Sequence, residues 1–487
     1  TTLLATATGT SDNNNITDTS TNNHSITVNG DAHAGTFSPY RSGGYSSNCP
    51  DGAALLVPTS TDFEFGTGEF CIEFWWRPDG TITAQGGLFD FRNSSGQNNS
   101  TTIPALLIDN TPAVIHWTGA NNNLSYATSN FSIGTWYHIA VSRDSSNNLG
   151  LFVDGTRVDV ETSHTTSYTA PTTQLYIGNW YATGTTNYSN KHTIRDFRII
   201  KGGTDGREGT SFTVPTKTLI AVSNTTLLTA YLPYIADGSS SNHSVTTTGN
   251  VTTEPVGPYD YEEYSATDHG GSVYFGGGTR EHLSTSLPAF GTQDFEVEFW
   301  IYGGALTSST WYTLFSRDYN VNGSFRIYCA GGSDVDKFIY IANGTEYNYT
   351  SAGKIRDNVW NHILLSRVSG TAKWFINGIE DTSWSDSENM TSTATLYIGD
   401  TGADETSNSS YPFVGYMSDI AIRMGGSGYR TSSFTSPTAP LSSTASDLHI
   451  KGTDASIIDK SQSHNIDMIG NLAVNTSTVK FANTKSI

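Results

Sequence analysis

The chain spells out one ordered set of motifs twice, about 220 residues apart, and then begins it a third time. Thr2-Leu3-Leu4 returns as Thr226-Leu227-Leu228. DTSTNNH at Asp18–His24 returns as DGSSSNH at Asp237–His243, and as DKSQSH at Asp459–His464. GEFCIEFWW (Gly68–Trp76) becomes QDFEVEFWI (Gln293–Ile301), and WYHIAVSR (Trp136–Arg143) becomes WNHILLSR (Trp360–Arg367). LFVDG (Leu151–Gly155) becomes WFING (Trp374–Gly378), and LYIG recurs at Leu175–Gly178 and Leu396–Gly399. Repeats of 20–50 residues would build a solenoid or propeller, whereas this period is the size of a domain. A tandem array of that kind points to a scaffold or binder before an enzyme. The spacing predicts complete domains at 1–220 and 221–444, then the opening strands of a third, incomplete module at 445–487. Roughly 40 residues bury too little apolar surface to fold alone. The expectation is therefore a window on a longer polypeptide.

Composition narrows the fold class. Only 14% of residues are charged, while glycine numbers 48 and Tyr and Phe together 47, so β-formers and turn-formers dominate. The net charge of −20 argues against nucleic acid or an anionic membrane as the main partner. No apolar run reaches the 18 or so residues that a membrane-spanning helix needs. Cys49, Cys71 and Cys329 are odd in number and lack metal-site spacing, which predicts structural, unpaired thiols.

Strands are legible in the alternation. Phe70, Ile72, Phe74 and Trp76 share one face of a strand, as do Phe295, Val297, Phe299 and Ile301. Asp154-Gly155 and Asn377-Gly378 sit between strand halves as hairpin turns. No 3.6-residue pattern is convincing anywhere. A dozen or so short strands per copy would make two sheets packed face to face.

In their order, FCIEFWWRP, GTWYHIAVSRD, LFVDGTRV, LYIG and IRDFRIIKGG, with their second-copy versions, resemble the laminin-G-like branch of the concanavalin A-like lectin/glucanase superfamily. The resemblance implies an all-β fold of tandem concanavalin A-like jelly-roll β-sandwiches. The segments between copies, FTVPTKTLIAVSNTTLLTA (Phe212–Ala230) and FTSPTAPLSSTASDLHIKG (Phe434–Gly452), resemble those of multi-module structural proteins of marine tailed bacteriophages.

Glucanases of that superfamily carry an acidic run on one strand, so Asp294, Glu296 and Glu298 are the place to look. Same-face neighbours lie roughly 6.6–7 Å apart, within reach of an inverting pair at roughly 6.5–9.5 Å. The first copy puts Cys71 at the central acid, leaving Glu69 and Glu73 roughly 13 Å apart. The order of acids also departs from the family's catalytic order. No catalytic residue is assigned, and Glu296→Gln is expected to leave stability nearly unchanged.

The repeated pairs His24/His243 and His138/His362 read as structural hydrogen-bonding residues, since no convergent ligand set accompanies them. Calcium is the one candidate ion, because relatives in this branch bind it through loop oxygens; Asp334, Asp336, Asp400 and Asp404 are the acidic loop residues of the second copy. Asn179 stands where Asp400 would be, which favours solvated loops and no cofactor. Loop aromatics that could stack on a sugar are Trp180, Tyr181 and Tyr188 in the first copy and Trp311 and Trp384 in the second. Trp136 and Trp360 are expected to be buried equivalents.

The expected function is a non-catalytic virion or surface-displayed structural and adhesion protein: a phage tail fibre, appendage or capsid-associated protein presenting lectin-like modules. Its expected partners are other virion or surface-assembly subunits in an oligomer, with a host-surface glycan as ligand, and its location the virion or the cell exterior. A cellular surface adhesin or lectin is the alternative, and a glycoside hydrolase comes third.

Overall fold

The computed structural model describes residues 5–7, 15–41, 43–80, 82, 85–92, 102–118, 124–180, 190–259, 264–277, 281–318, 321–401, 411–442, 446–453 and 457–459. They form two all-β sandwiches, each of two antiparallel sheets. In the first sandwich one sheet runs Thr156–Glu161, Leu149–Val153, Tyr137–Arg143, Phe70–Pro78, His192–Lys201, Ser46–Cys49, Thr252–Glu254, with Thr225–Thr229 also pairing to His192–Lys201. The facing sheet runs Leu124–Ala127, Ala113–Thr118, Ala105–Asn110, Gly86–Asp90, Leu175–Ile177, Ala54–Val57, Thr246–Thr248.

The second sandwich repeats this order strand for strand. Its first sheet runs Ile379–Ser385, Thr371–Ile376, Asn361–Val368, Phe295–Tyr302, Val414–Met424, Ser272–Gly276, His33–Gly35, and Leu448–Ile450 pairs with Val414–Met424. The other runs Thr345–Tyr349, Phe338–Ala342, Phe325–Cys329, Tyr312–Arg317, Leu396–Ile398, His282–Thr285, Thr27–Asn29. GEFCIEFWW and QDFEVEFWI thus occupy equivalent strands, and Phe70, Ile72, Phe74, Trp76 and Phe295, Val297, Phe299, Ile301 point into the two cores. Burying such side chains stabilises each sandwich by about 1.5–3 kcal/mol apiece.

The compact units are not the expected 1–220 and 221–444. They are Gly43–Asp260, and Thr1–Ser42 together with Tyr261–Ile487. The reason is where the opening of each repeat buries its apolar residues. Leu227, Val245 and Val251 of the second repeat lie in the first core. Ile16, Ala32 and Ala34 of the first repeat lie in the second core, beside Leu448 and Ile450 of the third. Within 445–487, the described strand Ile457–Asp459 pairs with Ala5–Ala7. Trp136 and Trp360 also differ. Trp360 is fully buried under Phe37 and Tyr302, whereas Trp136 is half-buried, covered by the Arg77 guanidinium at 5.3 Å. Position 256, which matches Phe37, is valine, and Arg77 replaces Tyr302, so no aromatic cover is available.

Both hairpins form as read. Asp154 and Gly155 have φ of 46° and 73°, and Asn377 and Gly378 50° and 80°, the left-handed pair of a type I′ turn. The glycines have a second task. Phe212 N–H donates to the Gly155 carbonyl and Phe434 N–H to that of Gly378, both at 2.8 Å. A Cβ on either glycine would sit 2.3 or 2.2 Å from the Phe212 or Phe434 carbonyl oxygen. These turns anchor the segments that cover the acidic strand. Among the described residues no helix is long and apolar enough to cross a membrane.

Candidate functional site

On the strand Phe70–Pro78 the residues opposite the core row are Cys71, Glu73 and Trp75, and all three are buried. Glu73 is fully enclosed. Its Oε1 accepts from Arg198 Nε at 3.0 Å, and its Oε2 from Arg207 Nε at 3.0 Å and His138 Nε2 at 3.1 Å. Burial alone would raise this carboxyl, but the His138 hydrogen bond and the two arginines outweigh it and bring it down to about 2. The lid is Phe212, whose ring stands edge-on to His138 and carries the Arg207 guanidinium at 5.5 Å.

The second copy rebuilds the same arrangement with its acids redistributed. Glu298 accepts from His362 Nε2 at 2.9 Å and Arg430 Nη1 at 2.7 Å, and Arg430 lies 4.7 Å over Phe434. Against the pull of burial, His362 and Arg430 lower the Glu298 carboxyl. Glu296 accepts from Arg423 Nη1 at 2.8 Å and from the Arg430 backbone, yet burial prevails and raises its carboxyl. The compensation follows cross-strand register. Glu73 faces Arg198 and Cys71 faces Ile200, whereas Glu298 faces Ala421 and Glu296 faces Arg423. Each copy therefore sets one arginine directly across from one acid. Asp294, on the same face, accepts the Ser369 N–H at 2.8 Å. His138 and His362 thus serve the hydrogen-bonding role expected of them. Cys49, Cys71 and Cys329 are buried and unpaired.

Sequence reasoning missed a second repeated constellation. Trp75 Nε1 donates to Tyr259 Oη at 2.9 Å, and that hydroxyl donates to Asp196 Oδ2 at 2.6 Å. Trp300 Nε1 donates to Tyr40 Oη at 2.7 Å, which donates to Asp419 Oδ2 at 2.8 Å. Asp196 and Asp419 both have φ of 53°, at the irregularity where each strand loses register with its neighbour. The signal was present: Pro39-Tyr40 and Pro258-Tyr259 recur at the same 219-residue shift as DTSTNNH.

The other sequence-predicted residues do not assemble into one site. Trp180 is buried against Ala105 and Leu107. Trp311 is half-buried beside Tyr328, and Trp384 lies half-buried by Tyr340. Tyr181, Tyr188 and Asp404 lie outside the described residues. Asp334 is paired with Lys337 at 3.1 Å, and Asp400 is buried and accepts the Thr401 N–H. Burial and the neighbouring Asp357 raise the Asp336 carboxyl against the opposing Arg356. Among the described residues no three His, Cys, Asp or Glu side chains gather as metal ligands.

The family model described as the concanavalin A-like lectin/glucanases superfamily matches residues 51–202 and 276–423. The chain belongs to this superfamily. Within it, the laminin-G-like sandwich occurs twice here, each copy with its acidic strand enclosed. Among solved structures the chain is similar to a candidate carbohydrate binding protein from Bacteroides ovatus, at 15% identity and TM-score 0.33, over 44% of this chain and 60% of that one. It is similar to domains LG4-5 of the mouse laminin α1 chain, at 11% identity and TM-score 0.26, over 79% and 90%. It is also similar to the heptameric SAP-like pentraxin of Limulus polyphemus, at 16% identity and TM-score 0.27, over 42% and 94%. No curated protein matches the chain.

Proposed function

We propose that this concanavalin A-like protein is a non-catalytic structural and adhesion protein, displaying paired lectin-like sandwiches that contact a host surface or its glycans. The observation that carries the reading is the enclosure of the acidic strand. A glycosidase needs two carboxyl groups open to substrate, one of them protonated as the acid. Glu73 is held as a carboxylate by His138, Arg198 and Arg207, and Glu296 and Glu298 spend their oxygens on Arg423, Arg430 and His362. Hydrophobic and ionic links of this kind suit a module that must hold its shape while it is displayed. In this reading the protein serves as a virion component such as a tail fibre, appendage or capsid-associated subunit, and works by positioning.

Two measurements test the proposal. Incubation with a panel of polysaccharides should release no reducing ends, while an immobilised glycan or host-envelope panel should retain the protein. Release that Glu296→Gln abolishes would overturn the non-catalytic reading. In a density gradient of the source material the chain should travel with virus particles; migration with cell envelopes would favour a cellular adhesin.

A further inference from the structure

On the outward face of Phe70–Pro78, Glu73 lies beneath the Phe212 lid and Trp75 is closed by its latch to Tyr259 and Asp196. The latch of Trp300 to Tyr40 and Asp419 matches it in the second sandwich. Arg77 comes next along the strand, and there the two sandwiches differ. Register places Thr193 directly across from Arg77, and Asn48 directly across from Thr193. The same row in the second sandwich is Tyr302, Tyr416 and Tyr274. That aromatic row is packed against itself. The Phe37 ring lies 4.9 Å from Tyr302, 4.9 Å from Tyr416 and 5.1 Å from Trp360, and Tyr274 lies 4.8 Å from Tyr416. In the first sandwich Val256 stands where Phe37 would cover the row, and the row itself is polar.

The polar row fixes Arg77 in place. Arg77 Nε donates to Asp79 Oδ1 at 2.6 Å and its Nη2 to Thr193 Oγ1 at 3.1 Å. Thr193 Oγ1 donates to Asp79 Oδ2 at 2.6 Å and accepts from Asn48 Nδ2 at 3.2 Å. The guanidinium so held lies 5.3 Å over the ring of Trp136, which stays half-exposed. The loop that carries Trp136 is fastened too: Gly134 N–H donates to the Pro78 carbonyl and Ser132 N–H to Tyr137 Oη, both at 2.8 Å. Among the described residues nothing accepts from the Trp136 indole N–H or from Arg77 Nη1. The Glu254 carboxylate stands 3.9 Å from Arg77 Nη2, beyond hydrogen-bond reach, and its side chain is 37% exposed. One surface spot thus combines an aromatic ring, a positioned guanidinium with open donors and a carboxylate with open acceptors. A sugar ring needs that set, since its C–H face packs on the indole while neighbouring hydroxyls give to Glu254 and take from Arg77. Burial raises the Glu254 carboxyl, Arg77 opposes this and Asp79 adds to it, so a further negative charge beside Glu254 is unfavourable. We propose that Trp136, Arg77 and Glu254 form a binding site for a neutral sugar on the outward face of the first sandwich. The inference rests on the glycan-contact reading above and adds the place where that contact is made. In the second sandwich the aromatic packing around Phe37 occupies the equivalent spot.

An array of immobilised neutral and sialylated oligosaccharides, probed with the full chain, tests the site. The parent should be retained on neutral glycans. Trp136→Ala and Glu254→Gln should each weaken that retention by about tenfold or more, the effect of losing one well-made contact. Trp136→Phe, which keeps a ring, should retain more than Trp136→Ala. The thermal unfolding midpoint of Glu254→Gln should match the parent's, which separates a lost contact from a lost fold. Retention on neutral glycans that neither Trp136→Ala nor Glu254→Gln weakens would overturn this site and leave the glycan-contact reading standing. Retention on sialylated glycans alone would overturn the assignment to a neutral sugar. A parent retained by no glycan on the array would refute both the site and the reading beneath it.

Discussion

At the scale of single residues, the buried polar groups set the costs. Tyr40 and Tyr259 each accept from an indole N–H and donate to a buried aspartate. Tyr→Phe at either position leaves both partners short of a hydrogen bond, a loss of about 1–3 kcal/mol. The two variants should lower their own sandwich's unfolding midpoint by similar amounts, read by domain-resolved hydrogen exchange; a large inequality would show that the two latches are not equivalent. Glu296→Gln keeps an oxygen for Arg423 Nη1 and the Arg430 N–H, and because burial already raises the Glu296 carboxyl, losing the charge should leave stability nearly unchanged by chemical denaturation. The alternation of FEVEFW was legible because it is local. That Glu73 and Glu298 would be enclosed was not, because the groups enclosing them, Arg207 and Arg430, lie over 130 residues away and outside the repeated motifs.

At the scale of elements, the turns and strands were readable while the frame that groups them was not. Asp154-Gly155 and Asn377-Gly378 announce type I′ hairpins because only that turn needs two left-handed residues in succession. The sequence offers no comparable mark for closure. A tandem repeat can be cut at any point in its period, and the physical frame depends on which sheet edges the opening segment completes. That decision is made by Leu227, Val245 and Val251 in one core and by Ile16, Ala32 and Ala34 in the other. One element links turn and lid. Gly378→Ala would strain a residue at φ 80° and drive its Cβ to 2.2 Å from the Phe434 carbonyl. It should destabilise the second sandwich by more than about 1 kcal/mol and speed amide exchange across residues 430–436. Unchanged exchange there would mean that the turn does not hold the lid.

At the scale of the whole molecule, the two sandwiches should part company in acid. His192 is enclosed in the first, with Nε2 donating to the Gly178 carbonyl at 2.9 Å, and burial depresses its pKa to about 4 in spite of that bond and of Asp79 and Asp51 nearby. Between pH 6.5 and 4 the unfolded chain takes up a proton that the folded one refuses, so stability rises with pH across that window and is lost as pH falls through it. A depression of this size corresponds to about 3 kcal/mol. Glu73 adds a loss of the same sign lower down, since its stabilisation is full above pH 4.5 and disappears toward pH 2. The second sandwich has Gly415 where the first has His192, so it lacks this histidine's contribution. It also carries Glu296, whose raised carboxyl acts with the opposite sign and weakens the fold as pH rises past its unfolded value. Acidification from pH 6.5 to 4 should therefore open Gly43–Asp260 before the unit that contains QDFEVEFWI. Hydrogen exchange followed by peptide mass analysis at stepped pH resolves the order, and His192→Asn should flatten the dependence of the first unit alone. Loss of protection in step in both units, unmoved by that substitution, would show that His192 does not govern the acid response.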